Sequence, residues 1–308
     1  MRYAGAFHAR SKYIWSDRAI PARICMKKLL VPTDFSENAF LAAKYAATIC
    51  KTQGYSLHLV HYYTATSSGF DESEMAVLNE DSNLLKADIT IKDWTQRLQA
   101  EFPTVNITYH NERGLLVEAL AQEAKKDNYA AIVMGTTGAT GAKNIFWGSN
   151  TAIITAKSPI PVIAVPNKPV HTAINRVGLL TNLKQEELIT LQEFLHCIKG
   201  DIDLTLIHAH KEQESVNSLE EKLALWLTNI EPFNAVRNVN ILTAPIVRED
   251  KNLDDIPEVI SKIIADNAID LILITKSRKT FFERLFTTSV SKAMTLDLQK
   301  PAFFGKTI

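Results

Sequence analysis

The chain repeats itself, and the repeat constrains the fold more than any single motif. "KKLLVPTDFSENAFLAAKYAATI" from Lys27 and "NRVGLLTNLKQEELITLQEFLHCI" from Asn175 share one order: a short apolar strand, a polar break, then residues with helical period. Asp34 falls opposite Asn182, an offset of 148. "YSLHLVHYY" (55–63) is answered by "DIDLTLIHAH" (201–210), with His61 opposite His208. "VNITYHNERG" from Val105 is answered by "VNILTAPIVRED" from Val239, and a helical stretch follows each. "YAAIVMGTT" matches "AIDLILITKS" and "SPIPVIAVP" matches "LQKPAFFGK" at an offset of 140, which puts Gly135 opposite Thr275 and Pro161 opposite Pro301. The smaller offset places extra residues in the middle of the first half. There "TATSSGFDESEMAVLNEDSNL" starts as a loop, and a helix is expected through "ADITIKDWTQRLQAEF".

Each half therefore reads as five strands separated by helices. Such alternation implies right-handed parallel crossovers and an α/β sandwich. The strands are near-continuous apolar runs, as expected where helices cover both sheet faces. The fold class is α/β, two repeated Rossmann-like domains, each with a five-stranded parallel sheet of expected order 3-2-1-4-5. The domains are placed at 26–166 and 175–308, with 167–174 a linker inside "PNKPVHTAIN". Residues 1–25 carry five Arg or Lys and one acid, Asp17, and read as a flexible extension. Met26 opens "MKKLLVPTD", which reads as a natural start, so 1–25 are expected to be absent from the native protein.

Composition removes several classes. The 34 basic and 34 acidic residues balance, so neither a nucleic-acid surface nor a membrane-seeking chain is indicated. No apolar run approaches the roughly 20 residues that span a bilayer. Three cysteines, Cys25, Cys50 and Cys197, form no Cys-x-x-Cys pair and suggest a reduced, intracellular chain.

Glycine is used sparingly, yet "MGTTGATGAKNIFWGSN" (134–150) holds four of the 11 in the chain. It follows the fourth strand, at the carboxyl end of a parallel sheet where such folds bind ligands. Phosphate needs converging N–H groups, glycine lets the backbone approach, and a helix start adds unpaired donors. "GSNTAIITAKS" reads as that helix start. Neither Gly-x4-Gly-Lys-Ser/Thr nor Gly-x-Gly-x-x-Gly is present. From these residues alone, a turn and an anion site stand level.

The order of elements, the "VPTD" that ends the first strand, and Gly-x2-Gly-x9-Gly-Ser together resemble the universal stress protein family, whose domains are adenine nucleotide α-hydrolase-like. The resemblance covers 27–166 well and 174–308 more weakly. It implies ATP binding by the first half, with AMP or ADP as related ligands and Mg2+ as a companion of ATP. Carried over by position, Pro32, Thr33 and Asp34 would sit beside the adenine and ribose. Tyr62, following the second strand, would meet adenine through its main chain. Met134 and Gly135 would border the ribose. Gly138, Gly148, Ser149, Asn150 and Thr151 would hold the phosphates; the family often has Val where Asn150 stands. Each has a plainer role too. Asp34 or Ser36 can cap the first helix, Met134 can fill core, and Gly141 and Lys143 can be loop.

The second half breaks this pattern: Gly135, Gly138 and Gly148 become Thr275, Arg278 and Thr288, Asp34 becomes Asn182, and only Ser149 persists, as Ser289. It is read as degenerate, joined to the first half as an intramolecular pseudo-dimer through the fifth strands "PVIAVP" and "PAFFGK". His58 and His61 lie on opposite strand faces, and His208 and His210 lack a third ligand, so no metal site is expected. "EKLALWLTNIEPF" carries a core stripe of Leu223, Leu227 and Ile230. No catalytic residue is assigned, because neither a Ser-His-Asp order nor a nucleophile elbow is present. Slow ATP hydrolysis is the most activity expected. The reading is a nucleotide-responsive stress protein of the cytoplasm, compatible with a homodimer and an unknown protein partner. Its rivals are a ligand-free interaction module and a hydrolase of the related fold.

Overall fold

A computed structural model describes residues 26–64, 74–126, 128–136, 149–168, 173–211, 216–246, 256–276 and 299–305. Within these it describes backbone alone at 74–83, 149, 211, 216–220, 246 and 256–258. The first half runs β1 (Lys28–Pro32), α1 (Glu37–Gln53), β2 (Ser56–Tyr63), α2 (Glu74–Glu101), β3 (Ile107–Arg113), α3 (Leu116–Lys126), β4 (Tyr129–Gly135), α4 (Ser149–Lys157), β5 (Val162–Val165). The second runs β6 (Arg176–Leu180), α5 (Gln185–Cys197), β7 (Ile202–Lys211), α6 (Val216–Leu227), β8 (Val236–Ile246), α7 (Ile256–Asp266), β9 (Leu271–Ile274), β10 (Ala302–Phe304). The extension 1–25 and the linker centre 169–172 lie outside the described residues.

All ten strands form one sheet, in the order β3-β2-β1-β4-β5-β10-β9-β6-β7-β8. Each half has the expected order, and pairing within each half is parallel. The halves join by one antiparallel pair, with Phe303 opposite Ile163 and Phe304 opposite Val162. Side chains alternate across strands, so the sheet carries two cores, each running through both halves. One joins Leu29, Val31, Leu57 and Val133 to Leu179, Leu204 and Phe303 under α1, α2 and α5. The other joins Leu30, Val60, Ile132 and Met134 to Ile207, Ile272 and Phe304 beneath α3, α4 and α7.

The repeat register holds with one correction. Leu29 pairs with Leu57 and Val177 with Leu204, which reproduces the sequence offsets. In the third strand, Leu57 pairs with Ile107 while Leu204 pairs with Val239, so Val239 answers Ile107 rather than Val105. A two-residue slip preserves which face each side chain takes, so the apolar pattern does not reveal it. The helix expected near Ala87 begins at Glu74, because "EMAVLNEDSNLLK" is rich in helix formers.

Across the joint, α1 and α5 end side by side. The Tyr55 hydroxyl donates to the Cys197 carbonyl (2.9 Å), and Gln53 both donates to Lys199 O (3.0 Å) and accepts from Lys199 N (2.9 Å). Phe194 meets Phe303 edge to face at 5.4 Å. Cys50 and Cys197 are free and buried, and burial pushes both thiols up to about 12. They act as small apolar residues, not as nucleophiles.

Phe303 is fully buried in the shared core beside the joint. Replacing it with Ala is expected to cost about 3–5 kcal/mol in denaturant unfolding. The wild-type chain is expected to unfold in one transition by both circular dichroism and tryptophan fluorescence, and separated transitions would show that the halves are not coupled.

Candidate functional site

At the carboxyl ends of β1 and β4 the chain leaves adjacent strands for opposite faces of the sheet. This is the crevice where open parallel sheets bind ligands. The turn after β1 is held by short bonds. The Thr33 N–H donates to Val60 O (2.9 Å), and the Thr33 hydroxyl accepts from Phe35 N (3.0 Å). Asp34 accepts from Ser36 N (3.0 Å), an Asx turn. Ser36 then caps α1 by accepting from Ala39 N (3.2 Å). Phe35 takes a left-handed φ of 61°, an uncommon conformation for a non-glycine residue. Of the two capping candidates, the first-turn cap is Ser36; Asp34 orders the turn and stays exposed.

The second half builds the same turn. Leu183 has φ 60°, and the Thr181 hydroxyl accepts from Leu183 N (2.9 Å). The matched histidines make the same contact in each half. Nδ1 of His61 lies 2.7 Å from Thr33 O, and Nδ1 of His208 lies 2.8 Å from Thr181 O. Each imidazole thus clamps the carbonyl of the residue that follows its strand.

The halves then part. Glu187, at the third position of α5, is buried and accepts from the Thr181 hydroxyl, Asn182 N (2.8 Å) and Lys184 N (3.1 Å). Its repeat partner is Ala39. The first half keeps the serine half of a capping box, and the second keeps the glutamate half. Burial pushes the Glu187 carboxyl above its ordinary range despite these donors. The second half thus fills the head of its turn with its own carboxyl group.

Pro32 and Thr33 are buried at the end of β1. Tyr62 lies within β2 rather than after it, paired with Glu112 on β3. Its ring packs on the α3 face, and its buried hydroxyl has no hydrogen-bond partner among the described residues. Met134 is 6% exposed and belongs to the core beneath α3, α4 and α7, which supports its plainer role. Gly135 has a packing reason that the sequence does not announce. A Cβ there would stand 2.5 Å from Oδ1 and 3.1 Å from the carbonyl oxygen of Asn38, whose side-chain amide donates to Val165 O (3.3 Å). Thr151 is buried and donates to Gly135 O (2.9 Å), tying the first turn of α4 to the end of β4. Asn150 is exposed, and Ser149 begins α4. Gly138, Gly141, Lys143, Gly148, Arg278, Thr288 and Ser289 lie outside the described residues.

At the Gly135 position of the second half, the Thr275 hydroxyl donates to the Thr190 hydroxyl (2.9 Å). The next residue, Lys276, has a buried ammonium with no hydrogen-bond partner among the described residues. Burial lowers it to about 8, against the opposing pull of Glu193. Between the second-half turn and α6 lies a groove of about 530 Å³, lined by Leu183, His208, Lys222, Leu225 and Trp226 among others. At the matching place in the first half, Phe35 lies 4.4 Å from His61 and 5.6 Å from Trp94, ring centre to ring centre.

The universal stress protein family model matches residues 26–166. Two universal stress proteins of Methanocaldococcus jannaschii align with the chain. One is 28% identical over 152 residues, covering 46% of this chain and 84% of that protein. The other is 26% identical over 160 residues, covering 47% and 98%. A universal stress protein from Archaeoglobus fulgidus superposes on both halves, covering 91% of this chain and 96% of its own at TM-score 0.64 and 17% identity, a likeness of fold.

Gly135→Ala is expected to destabilise the chain by about 1–3 kcal/mol, measured by urea unfolding without nucleotide, since the added methyl must displace Asn38. Glu187 makes a pH prediction. Its raised pKa means that its contribution is full below the unfolded glutamate value and lost as pH rises through the folded value. Stability should therefore fall across that window, and Glu187→Gln should remove that part of the slope.

Proposed function

Because residues 26–166 match the universal stress protein family model, we propose that they bind ATP or a related adenine nucleotide at the ends of β1, β2 and β4. The second half, 175–308, is a degenerate partner that completes an internal pseudo-dimer across β5 and β10, with 167–174 as the linker. One observation carries this reading. The two halves share strands, turn and histidine clamp, yet differ where a phosphate would sit. In sequence, the phosphate-side glycines Gly138 and Gly148 of the first half are replaced in the second by Arg278 and Thr288.

The start of α4 supports this reading. The first turn of a helix has N–H groups without intrahelical partners. In α4 that turn is fastened to the end of β4 by Thr151. Pro32, Thr33 and Asp34 would border the base and ribose, with the backbone at Tyr62 alongside. Gly138, Gly148, Ser149 and Asn150 would hold the phosphates. Thr151 would position the helix, its hydroxyl being engaged by Gly135. Mg2+ would accompany ATP on its phosphates. The chain would then act as a nucleotide-responsive binding module in the cytoplasm, shifting a partner equilibrium if the nucleotide favours one state. A second chain could add a homodimer. No helix among the described residues is long and apolar enough to cross a membrane.

Calorimetry with ATP and with AMP tests the reading. Wild-type protein should bind, and Gly138→Arg should weaken binding by more than about tenfold, or 1.4 kcal/mol. No binding at millimolar nucleotide would reject the proposal. Unchanged binding in the variant would move the ligand elsewhere, with the groove beside Trp226 the first place to look. A product assay over hours should show turnover that is slow or nil.

A further inference from the structure

On the α3 face, away from the glycine loop, polar side chains from four elements converge. His110 and Glu112 come from β3, Glu123 from α3, His58 and Tyr62 from β2, and Tyr129 from β4. One ligand-type atom from each of His110, Glu112 and Glu123 lies within 4.8 Å of the others. Nε2 of His110 is 3.6 Å from a Glu112 carboxylate oxygen. That is long for a hydrogen bond. It is close to the separation of about 3.4 Å that two ligands take around a tetrahedral zinc with bonds near 2.1 Å.

The rest of the cluster orients these groups. Nδ1 of His110 is 2.8 Å from Nε2 of His58, and Nδ1 of His58 is 2.7 Å from the Thr108 hydroxyl. The Thr108 hydroxyl donates to Leu57 O (3.4 Å). With the Thr108 proton on that carbonyl, His58 carries its proton on Nδ1 and accepts at Nε2. His110 then donates from Nδ1, and its Nε2 is left as a bare lone pair. A metal-bound histidine needs that state, with its second nitrogen held by another group. The Tyr129 hydroxyl donates to one oxygen of Glu123 (2.9 Å), and Lys126 lies 3.2 Å from the other. Glu123 is held below its ordinary range: burial opposes this, but Tyr129 and Lys126 outweigh it. The side chain of Glu112 is half exposed, which leaves an opening to solvent for a cation and a water.

We propose that His110, Glu112 and Glu123 bind a divalent transition-metal cation of the zinc type. Water supplies the fourth ligand, and His58 is the positioning residue behind His110. One nitrogen and two carboxylates suit zinc, cobalt or nickel better than magnesium, which favours an all-oxygen shell. The site needs no nucleotide, so it stands or falls apart from ATP binding.

Full-length protein, freed of metal with chelator, should be titrated with zinc chloride by calorimetry and with cobalt(II) by visible absorbance. One equivalent should bind, with affinity falling as pH drops because metal ligands must be deprotonated. Glu112→Gln, on the exposed side, should weaken binding at least tenfold while circular dichroism stays unchanged. His58→Asn should weaken it by about 10–100-fold. His196→Gln, on a remote helix end, should have no effect. Absence of binding below millimolar metal would overturn the proposal. Equal affinity in wild type and Glu112→Gln would overturn it as well.

Discussion

The antiparallel pairing of β5 with β10 is the constraint on which the rest of the molecule depends. Each five-stranded sheet alone would present its fifth strand as an open edge, a template for unwanted pairing. Ile163 against Phe303 and Val162 against Phe304 close both edges at once. Because strand side chains alternate, that joint also fuses two pairs of half-cores into two continuous ones. It brings α1 and α5 together, so that Tyr55, Gln53 and Lys199 can bond across the boundary. On the proposed reading, a second half without a ligand site would still serve as a scaffold. Its strands complete the sheet and the two cores of the other half.

That division explains what the two halves share and what they do not. The turn after the first strand, its left-handed residue, its threonine and its histidine clamp recur at Phe35 and Leu183, Thr33 and Thr181, His61 and His208. These features belong to the fold. Differences arise at the helix head, where Glu187 answers Ala39, and at the strand end, where Thr275 answers Gly135. There each half meets its own neighbours, so those positions are open to specialisation.

Much of the fold is legible in the sequence, because apolar segments that alternate with helices imply a parallel α/β sheet; alternation alone does not set the strand order. The repeat alone pairs His61 with His208, without any geometry. Other features depend on contacts between distant elements, which periodicity cannot express. Sequence matching misplaces the third-strand register by two residues, a slip that moves no side chain to the wrong face. Tyr62 lies inside its strand because β3 extends that pairing to Arg113. Gly135 invites a ligand explanation, but Asn38 on α1 already leaves no room for a Cβ. Thr151 invites the role of phosphate donor, yet its proton goes to Gly135 O. Local spacing also misses the histidine cluster. His58 meets His110 across two strands, and Glu123 arrives from a helix, so no interval in the chain announces it.

The central claim is an asymmetry: one nucleotide site, in the first half, on a sheet common to both. Amide hydrogen exchange on the full chain, with and without saturating ATP, tests it directly. The account predicts slower exchange in the Thr33–Ser36 turn, at the end of β4 and in the first turn of α4, with Leu183, Gln185 and His208 unchanged. Protection confined to the second-half turn and the groove beside Trp226, with none in the first half, would contradict it.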